Sequence, residues 1–137
     1  MAYSWITPKT NWSSGDFCTH VDINRIRNNI LYLYEQIDVT PIYPTMLPTL
    51  DAGNYLYVNG YNHIQEEVYQ LYDLLGCTGE YPFIFNKTLN SAPWGSTDLN
   101  TIESILLECK DVVDSGDYTL NYVYAGSGTY CSNNDLL

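Results

Sequence analysis

The acidic residues are the side chains best suited to do chemistry in this sequence, and five of the sixteen form two groups. Glu66 and Glu67 are adjacent, and Asp111, Asp114 and Asp117 follow one another at intervals of three. Neighbouring helix positions diverge by about 100 degrees, which separates the two glutamates too far for paired acid–base catalysis. The aspartate spacing is typical of acidic metal sites but fits no EF-hand pattern. Solvated helix surfaces are therefore favoured at both places.

The remaining reactive residues do not form a known motif either. The segment Gly126–Thr129 is rich in glycine, but it lacks the lysine and the following helix of a P-loop. The cysteines form no CxxC pair and no Cys/His spacing for zinc, which predicts free, partly buried thiols in a reducing cell. We expect no metal, no cofactor and no enzymatic activity. The cysteines are Cys18, Cys77, Cys109 and Cys131.

The charge of the chain argues against two classes of partner. Sixteen acidic and five basic side chains give a net charge of −11. A nucleic-acid backbone and an anionic membrane would both be repelled by this surface. No run approaches the roughly 18 apolar residues of a membrane span, and the N-terminal residues lack the pattern of a signal peptide. We therefore expect synthesis in a cytoplasm without a signal peptide, and neither nucleic acid nor membrane as a partner.

A short apolar–Asn–x–Ile pattern recurs at an equal interval along the chain. Its asparagines stand at positions 24, 62 and 100, so both intervals are 38 residues. An equal period predicts repeated supersecondary units. The asparagine is the polar residue that recurs beside each apolar seam. We expect its side chain to form hydrogen bonds with the backbone of a neighbouring loop or helix. The repeat residues are Asn24, Asn62, Asn100, Ile26, Ile64 and Ile102.

The apolar spacing predicts a mainly α fold with three amphipathic helices, near 20–38, 58–75 and 97–114. Each seam has gaps of 3, 4, 3 and 4 residues. Gly76 is expected to close the second helix. The predicted organisation is an extended aromatic arm (1–18), a three-helix repeat domain (19–115) and a β-hairpin tail (116–137). Positions expected to face outward include Arg25, Asn28, Asn29, Tyr32, Glu35, Glu66, Glu67 and Asp73.

The irregular segments carry most of the aromatic residues. Prolines at 41, 44, 48, 82 and 93 exclude regular helix from both connectors. Connectors of about 18–20 residues exceed the usual length in compact domains, which suggests contacts with other chains. The tryptophans of the arm can pack on this domain's own helices or on a neighbouring subunit. Candidate partner-contacting residues are Trp5, Trp12, Tyr43, Trp94, Tyr122 and Tyr124.

Three segments together resemble a known group of proteins. They are the run Trp5–Trp12, the turn Gly15-Asp16-Phe17 and the helix Asp22–Leu33 with its Asp-x-Asn-Arg-Ile-x-x-Asn-Ile pattern. They resemble small structural proteins of tailed bacteriophages and prophages of Firmicutes-type bacteria, which repeat this helix. The second copy has Gly60 and His63 at the positions of the Asp and Arg, and these departures favour packing over a shared ligand.

The resemblance implies a structural protein of the virion, in the tail, baseplate or fibre region. Such a protein would bind other virion proteins, and self-association into a homo-oligomer is expected from the symmetry of such assemblies. Two alternatives stay open: a head decoration or head-fibre protein, and a carbohydrate- or host-surface-binding module that uses its tyrosines and tryptophans.

Overall fold

A computed structural model describes residues 3–43, 58–88 and 93–121. Within these residues the regular secondary structure is helical, and there is no strand. The three helices are α1 (His20–Ile37), α2 (Val58–Leu74) and α3 (Ser96–Ser115). The mainly helical prediction is confirmed, and each described helix end lies within one residue of the predicted one. The helices begin at positions 20, 58 and 96, again at intervals of 38 residues.

The helices bury their apolar seams against one another, and each of the three contacts the other two. Ile26, Leu71 and Ile102 have no exposed surface, which places the centre of the core where the three seams meet. Complete burial of side chains of this size stabilises the fold by about 1.5–3 kcal/mol each. The other buried seam residues are Ile23, Ile30, Leu33, Ile37, Ile64, Val68, Leu75, Leu99, Leu106 and Cys109.

Local hydrogen bonds define where the helices start and stop. Before α1, the Thr19 N–H donates to the Asp22 carboxylate at 2.9 Å, as expected for a capping-box acid. After the helices, the chain takes a left-handed conformation at Asp38 (φ 56°), Gly76 (φ 66°) and Gly116 (φ 68°). Gly76 thus occupies the C-terminal position predicted for it, because glycine adopts positive φ without steric cost.

The irregular segments lie along the helix bundle. Trp12 and Trp94 insert into the core and are 5% and 6% exposed. In the segment 81–85, which could have paired as a strand, Ile84 is buried and the structure is irregular. The described part of the predicted hairpin tail, residues 116–121, contains no strand, and the Asn121 N–H donates to the Leu74 carbonyl at 2.8 Å. The rest of that hairpin lies outside the described residues.

Replacing Asp38 by glycine should stabilise the protein. Asp38 holds φ at 56°, whereas the position 38 residues later is Gly76 in the same conformation. A left-handed residue with a side chain carries steric strain that glycine lacks, so Asp38→Gly should raise the free energy of unfolding by about 1 kcal/mol. The reverse change, Gly76→Asp, should lower it by a similar amount. Urea denaturation of both variants checks this, and destabilisation by Asp38→Gly or stabilisation by Gly76→Asp would contradict the explanation.

Candidate interaction surface

Asparagine side chains on the helices hold the backbone of the irregular segments. Asn62 Oδ1 accepts from the Lys87 N–H at 2.6 Å, and its Nδ2 donates to the Lys87 carbonyl at 2.9 Å. Asn100 binds Trp12 in the same two-bond manner, at 2.7 and 3.0 Å. A primary amide offers one acceptor beside a pair of donors, which matches the N–H and C=O of one extended residue. We call this arrangement an amide clamp.

A third amide clamp lies on α1 at a position expected to face outward. Asn29 Oδ1 accepts from the Ile6 N–H at 3.0 Å, and its Nδ2 donates to the Ile6 carbonyl at 2.8 Å. Asn29 has no exposed surface, so the prediction of an outward position was wrong. The reason is that the arm crosses this face of α1 and covers it. The repeated Asn24 lies half-buried on the same helix.

Glu103 on α3 is the centre of a buried polar network that joins the arm to two helices. Its Oε1 accepts from the Lys9 N–H (3.1 Å) and Arg25 Nε (2.8 Å). Its Oε2 accepts from Trp12 Nε1 and Arg25 Nη2, both at 2.7 Å. Arg25 also pairs with Asp22 at 2.9 Å. Each carboxylate oxygen thus receives two donors, which uses its acceptor capacity and gives Glu103 a structural role.

Glu67 on α2 has the same role for the start of the first connector. Its Oε1 accepts from the Tyr34 hydroxyl at 2.8 Å and from the Ile42 N–H at 3.0 Å, and its Oε2 accepts from the Tyr43 N–H at 2.9 Å. Burial raises the pKa of Tyr34 well above its ordinary value, which keeps the hydroxyl protonated as a donor. Glu67 is fully buried, so the predicted solvated position was wrong. Glu66 is exposed, as predicted.

Glu108 on α3 holds the segment that follows α2. Its carboxylate accepts from the Thr78 N–H at 2.9 Å, the Gly79 N–H at 3.3 Å and the Tyr81 hydroxyl at 2.7 Å. A Cβ at Gly79 would collide with the Glu108 carboxylate and would lie 2.7 Å from the Tyr81 hydroxyl, so a larger residue there would displace these two hydrogen-bonded groups. Partial burial acts to raise the pKa of Glu108, but the hydrogen-bond donors outweigh this effect. The pKa of Glu108 therefore lies below its ordinary value.

The predicted partner-contacting residues occupy different environments. Trp12 and Trp94 are core residues of this chain, and Trp94 Nε1 donates to Gln65 Oε1 at 2.7 Å. Trp5 and Tyr43 are half-buried; Trp5 packs against Tyr32 with ring centroids 5.7 Å apart, and Tyr43 stacks on His63 at 3.9 Å. The other two, Tyr122 and Tyr124, lie outside the described residues.

The most exposed aromatic cluster was missed by the sequence reasoning. Phe83 and Phe85 are 66% and 73% exposed and lie edge-to-face at 4.8 Å. Phe83 also stacks on Tyr69 of α2 at 5.9 Å, and we call these three residues the aromatic strip. A cleft of about 290 Å³ beside it is lined by Tyr69, Tyr72, Gly79, Glu80, Tyr81, Phe83 and Ile105. The signal was the alternation Phe83-Ile84-Phe85, in which the one buried residue turns its neighbours outward.

The aromatic strip belongs to a fixed part of the molecule. Tyr69 accepts from the Ile84 N–H at 3.0 Å, and Gln65 donates to the Phe85 carbonyl at 3.2 Å. Lys87, two residues on, is held by the Asn62 amide clamp. Exposed apolar groups on a fixed backbone are suited to binding, since little conformational entropy is lost on contact.

Within residues 3–43, 58–88 and 93–121, no group of three or more His, Cys, Asp or Glu side chains lies close enough to hold a metal ion. Asp114, one of the evenly spaced aspartates, pairs with Lys110 at 2.5 Å. None of the described helices is long and apolar enough to cross a membrane.

Comparisons with protein-family models, with curated proteins and with solved structures give no match to this chain.

The amide clamps should contribute measurably to stability. Asn62→Ala removes both hydrogen bonds to Lys87 and leaves a part-buried N–H and C=O unpaired, so the free energy of unfolding should fall by about 2 kcal/mol. Asn62→Asp keeps the acceptor and loses the donor, and should be destabilised as well. Asn59→Ala, at an exposed position of the same helix, is the matched control and should change stability by less than about 0.5 kcal/mol. Equal effects of Asn59→Ala and Asn62→Ala in urea denaturation would contradict this role.

Glu108 should make stability depend on pH in the acidic range. Its folded-state pKa is lowered, so its contribution is present above the unfolded value of about 4.3 and is lost as the pH falls through the folded value. Melting midpoints of the wild type should therefore drop between about pH 5 and pH 3, and Glu108→Gln should make this drop shallower. Glu80→Gln, exposed on the same connector, is the control. A pH profile of Glu108→Gln that is parallel to the wild type would refute the assignment.

Proposed function

We propose that this chain is a non-enzymatic structural protein of a bacteriophage virion, in the tail, baseplate or fibre region, that binds other virion proteins. The observation that carries the binding role is the aromatic strip on a backbone held by hydrogen bonds. The virion assignment rests on the resemblance of residues 5–33. The donors that the two buried carboxylates receive, four at Glu103 and three at Glu67, support structural roles for these two acids.

We further infer that the 38-residue interval reflects one helix-plus-connector unit used three times. Asn62 on α2 clamps the connector that follows it, and Asn100 on α3 clamps the arm that precedes α1. In this interpretation the arm occupies on α3 the position that a connector occupies on α2. The arm therefore completes the third unit. The arm is thus part of the domain's own packing, because it supplies Trp12 to the core.

Self-association through the aromatic strip is the form of binding that can be tested first. Phe83 and Phe85 expose most of their surface, and burying two such rings would contribute about 3 kcal/mol. Aromatic residues are also enriched at the centres of protein interfaces. The acidic net charge of −11 opposes the approach of two copies, which makes an apolar contact the main source of attraction.

The test compares the full chain with Phe83→Ser/Phe85→Ser by sedimentation velocity over a range of concentrations. We expect the variant to lose about 100-fold in self-association affinity, because about 3 kcal/mol of burial is removed. Its melting midpoint should be nearly unchanged, since both residues are exposed. In a phage that carries this gene, the variant chain should be missing from purified particles.

The matched control is Val21→Ser/Leu107→Ser, which also replaces two exposed apolar residues, on α1 and α3. It should associate as the wild type does. Normal particle incorporation of Phe83→Ser/Phe85→Ser would overturn the assembly role of the strip. Deleting the arm would be a poor test, since the loss of Trp12 would damage the core.

The cleft beside the strip favours a second candidate, carbohydrate binding. The aromatic rings could stack on a sugar, and the carboxylate of the exposed Glu80 could accept hydrogen bonds from its hydroxyl groups. A glycan array probed with the wild type and with Phe83→Ser/Phe85→Ser distinguishes the two candidates. Binding that the double variant loses would favour the carbohydrate module, and the absence of binding by the wild type would remove it. A head decoration or head-fibre role predicts the same strip-dependent assembly, at a different position in the particle.

A further inference from the structure

Two buried thiols meet where the end of α2 packs on α3. Cys77 and Cys109 are 8% and 0% exposed, and their Sγ atoms are 3.6 Å apart. Cys77 follows the left-handed Gly76, and its N–H donates to the Tyr72 carbonyl at 3.0 Å. Cys109 belongs to the apolar seam of α3, so both residues lie on regular or capped backbone.

The two residues are fixed relative to each other by the groups next to them. Glu108, adjacent to Cys109, accepts from the N–H groups of Thr78 and Gly79, which directly follow Cys77. The short segment 77–79 is therefore attached to α3 within one residue of the thiol contact. Such an arrangement holds the two thiols together, so their reaction costs little further conformational entropy and is favoured.

Small buried thiols can also serve only as apolar filling of a core. At 3.6 Å the two sulfurs are in direct contact, so no other group has to move from between them for a bond to form. A disulfide needs about 2.05 Å between its sulfurs, so the two atoms must approach by about 1.5 Å. Cys77 is the member of the pair that has some exposed surface, so it is the one nearer to a small oxidant in solution.

We propose that Cys77 and Cys109 form a reversible disulfide when the folded chain meets a low-molecular-weight disulfide. The Cys77 thiolate attacks one sulfur of that disulfide, whose S–S bond breaks and releases one small thiol. The Cys109 thiolate then attacks Cys77 Sγ, breaks the mixed disulfide and releases the second small thiol. The protein loses two electrons and two protons, and the small disulfide gains both.

The surroundings of the pair set the pH range of this reaction. The hydrogen bond with Cys77 and burial raise the pKa of Cys109 well above its ordinary value. Because the thiolate is the attacking form, closure of the bond should become faster as the pH rises from neutral to alkaline. The bond would join the end of α2 to the middle of α3, and it is independent of the proposed assembly role.

The experiment uses the full reduced chain and oxidised glutathione at pH 7 and pH 9. After acid quenching and alkylation, peptide mass spectrometry should find Cys77 linked to Cys109, with more product at pH 9. The variant Cys18→Ser/Cys131→Ser should form the same link, since it retains both residues. The melting midpoint of the oxidised chain should rise by about 8 °C or more and return to its starting value with a reductant.

Cys77→Ser is the matched negative control, and its melting midpoint should not respond to the oxidant. Cys18 is exposed and, although burial of its thiol raises its pKa to about 11, it should form a glutathione adduct at pH 9 in the wild type, which verifies that the oxidant is active. If Cys18 is modified while Cys77 and Cys109 are recovered as separate alkylated residues, the proposal is overturned. Linkage of either residue to Cys18 or Cys131 in place of the proposed pair would overturn it as well.

Discussion

The irregular segments of this protein depend on hydrogen bonds from helix side chains to their backbone. Backbone N–H and C=O groups that leave water must find partners, and in most proteins helices and sheets provide them. Here the described segments between the helices contain no strand, so the partners come from elsewhere. Asparagine clamps on Ile6, Lys87 and Trp12 supply both bonds at one residue, and buried glutamates supply acceptors at several others. The position of each segment thus follows from a polar residue on a helix.

This arrangement explains how two fully buried glutamates can be stable in a small core. Transfer of a carboxylate from water costs several kcal/mol unless its oxygens are fully bonded. Glu103 receives four donors, two of them from Arg25, and Glu67 receives three. The same bonds fix the arm and the first connector. They therefore stabilise the buried carboxylates and position these two segments of the chain at the same time. Such a network also has a consequence for mutation, since the removal of one member leaves the other members unpaired.

The sequence predicts the helices well because their apolar periodicity is strong and local. It also singled out Asn62 and Asn100, whose regular spacing made them visible. Asn29, Glu67 and Glu103 could not be found in this way, since a polar residue on a helix ordinarily faces solvent. Only the path of the irregular segments shows that these positions are covered, and that path depends on contacts between residues far apart in sequence. The aromatic strip was missed for a related reason: the direction of Phe83 and Phe85 follows from the burial of Ile84 against α2.

The exposure of the aromatic strip is a consequence of the same hydrogen bonds. Without other constraints, a segment with two phenylalanines would turn their rings toward the core, because burial of each ring is favourable. At residues 83–85 the bonds from Gln65 and to Tyr69 fix the backbone with Ile84 inward, so the flanking rings must point away from the helices. The cost of leaving these rings in water is met when the chain folds, and in the proposed assembly it would be recovered by another chain that covers them. A surface held in this way loses little entropy on binding, which is the property expected of a component that assembles with other chains.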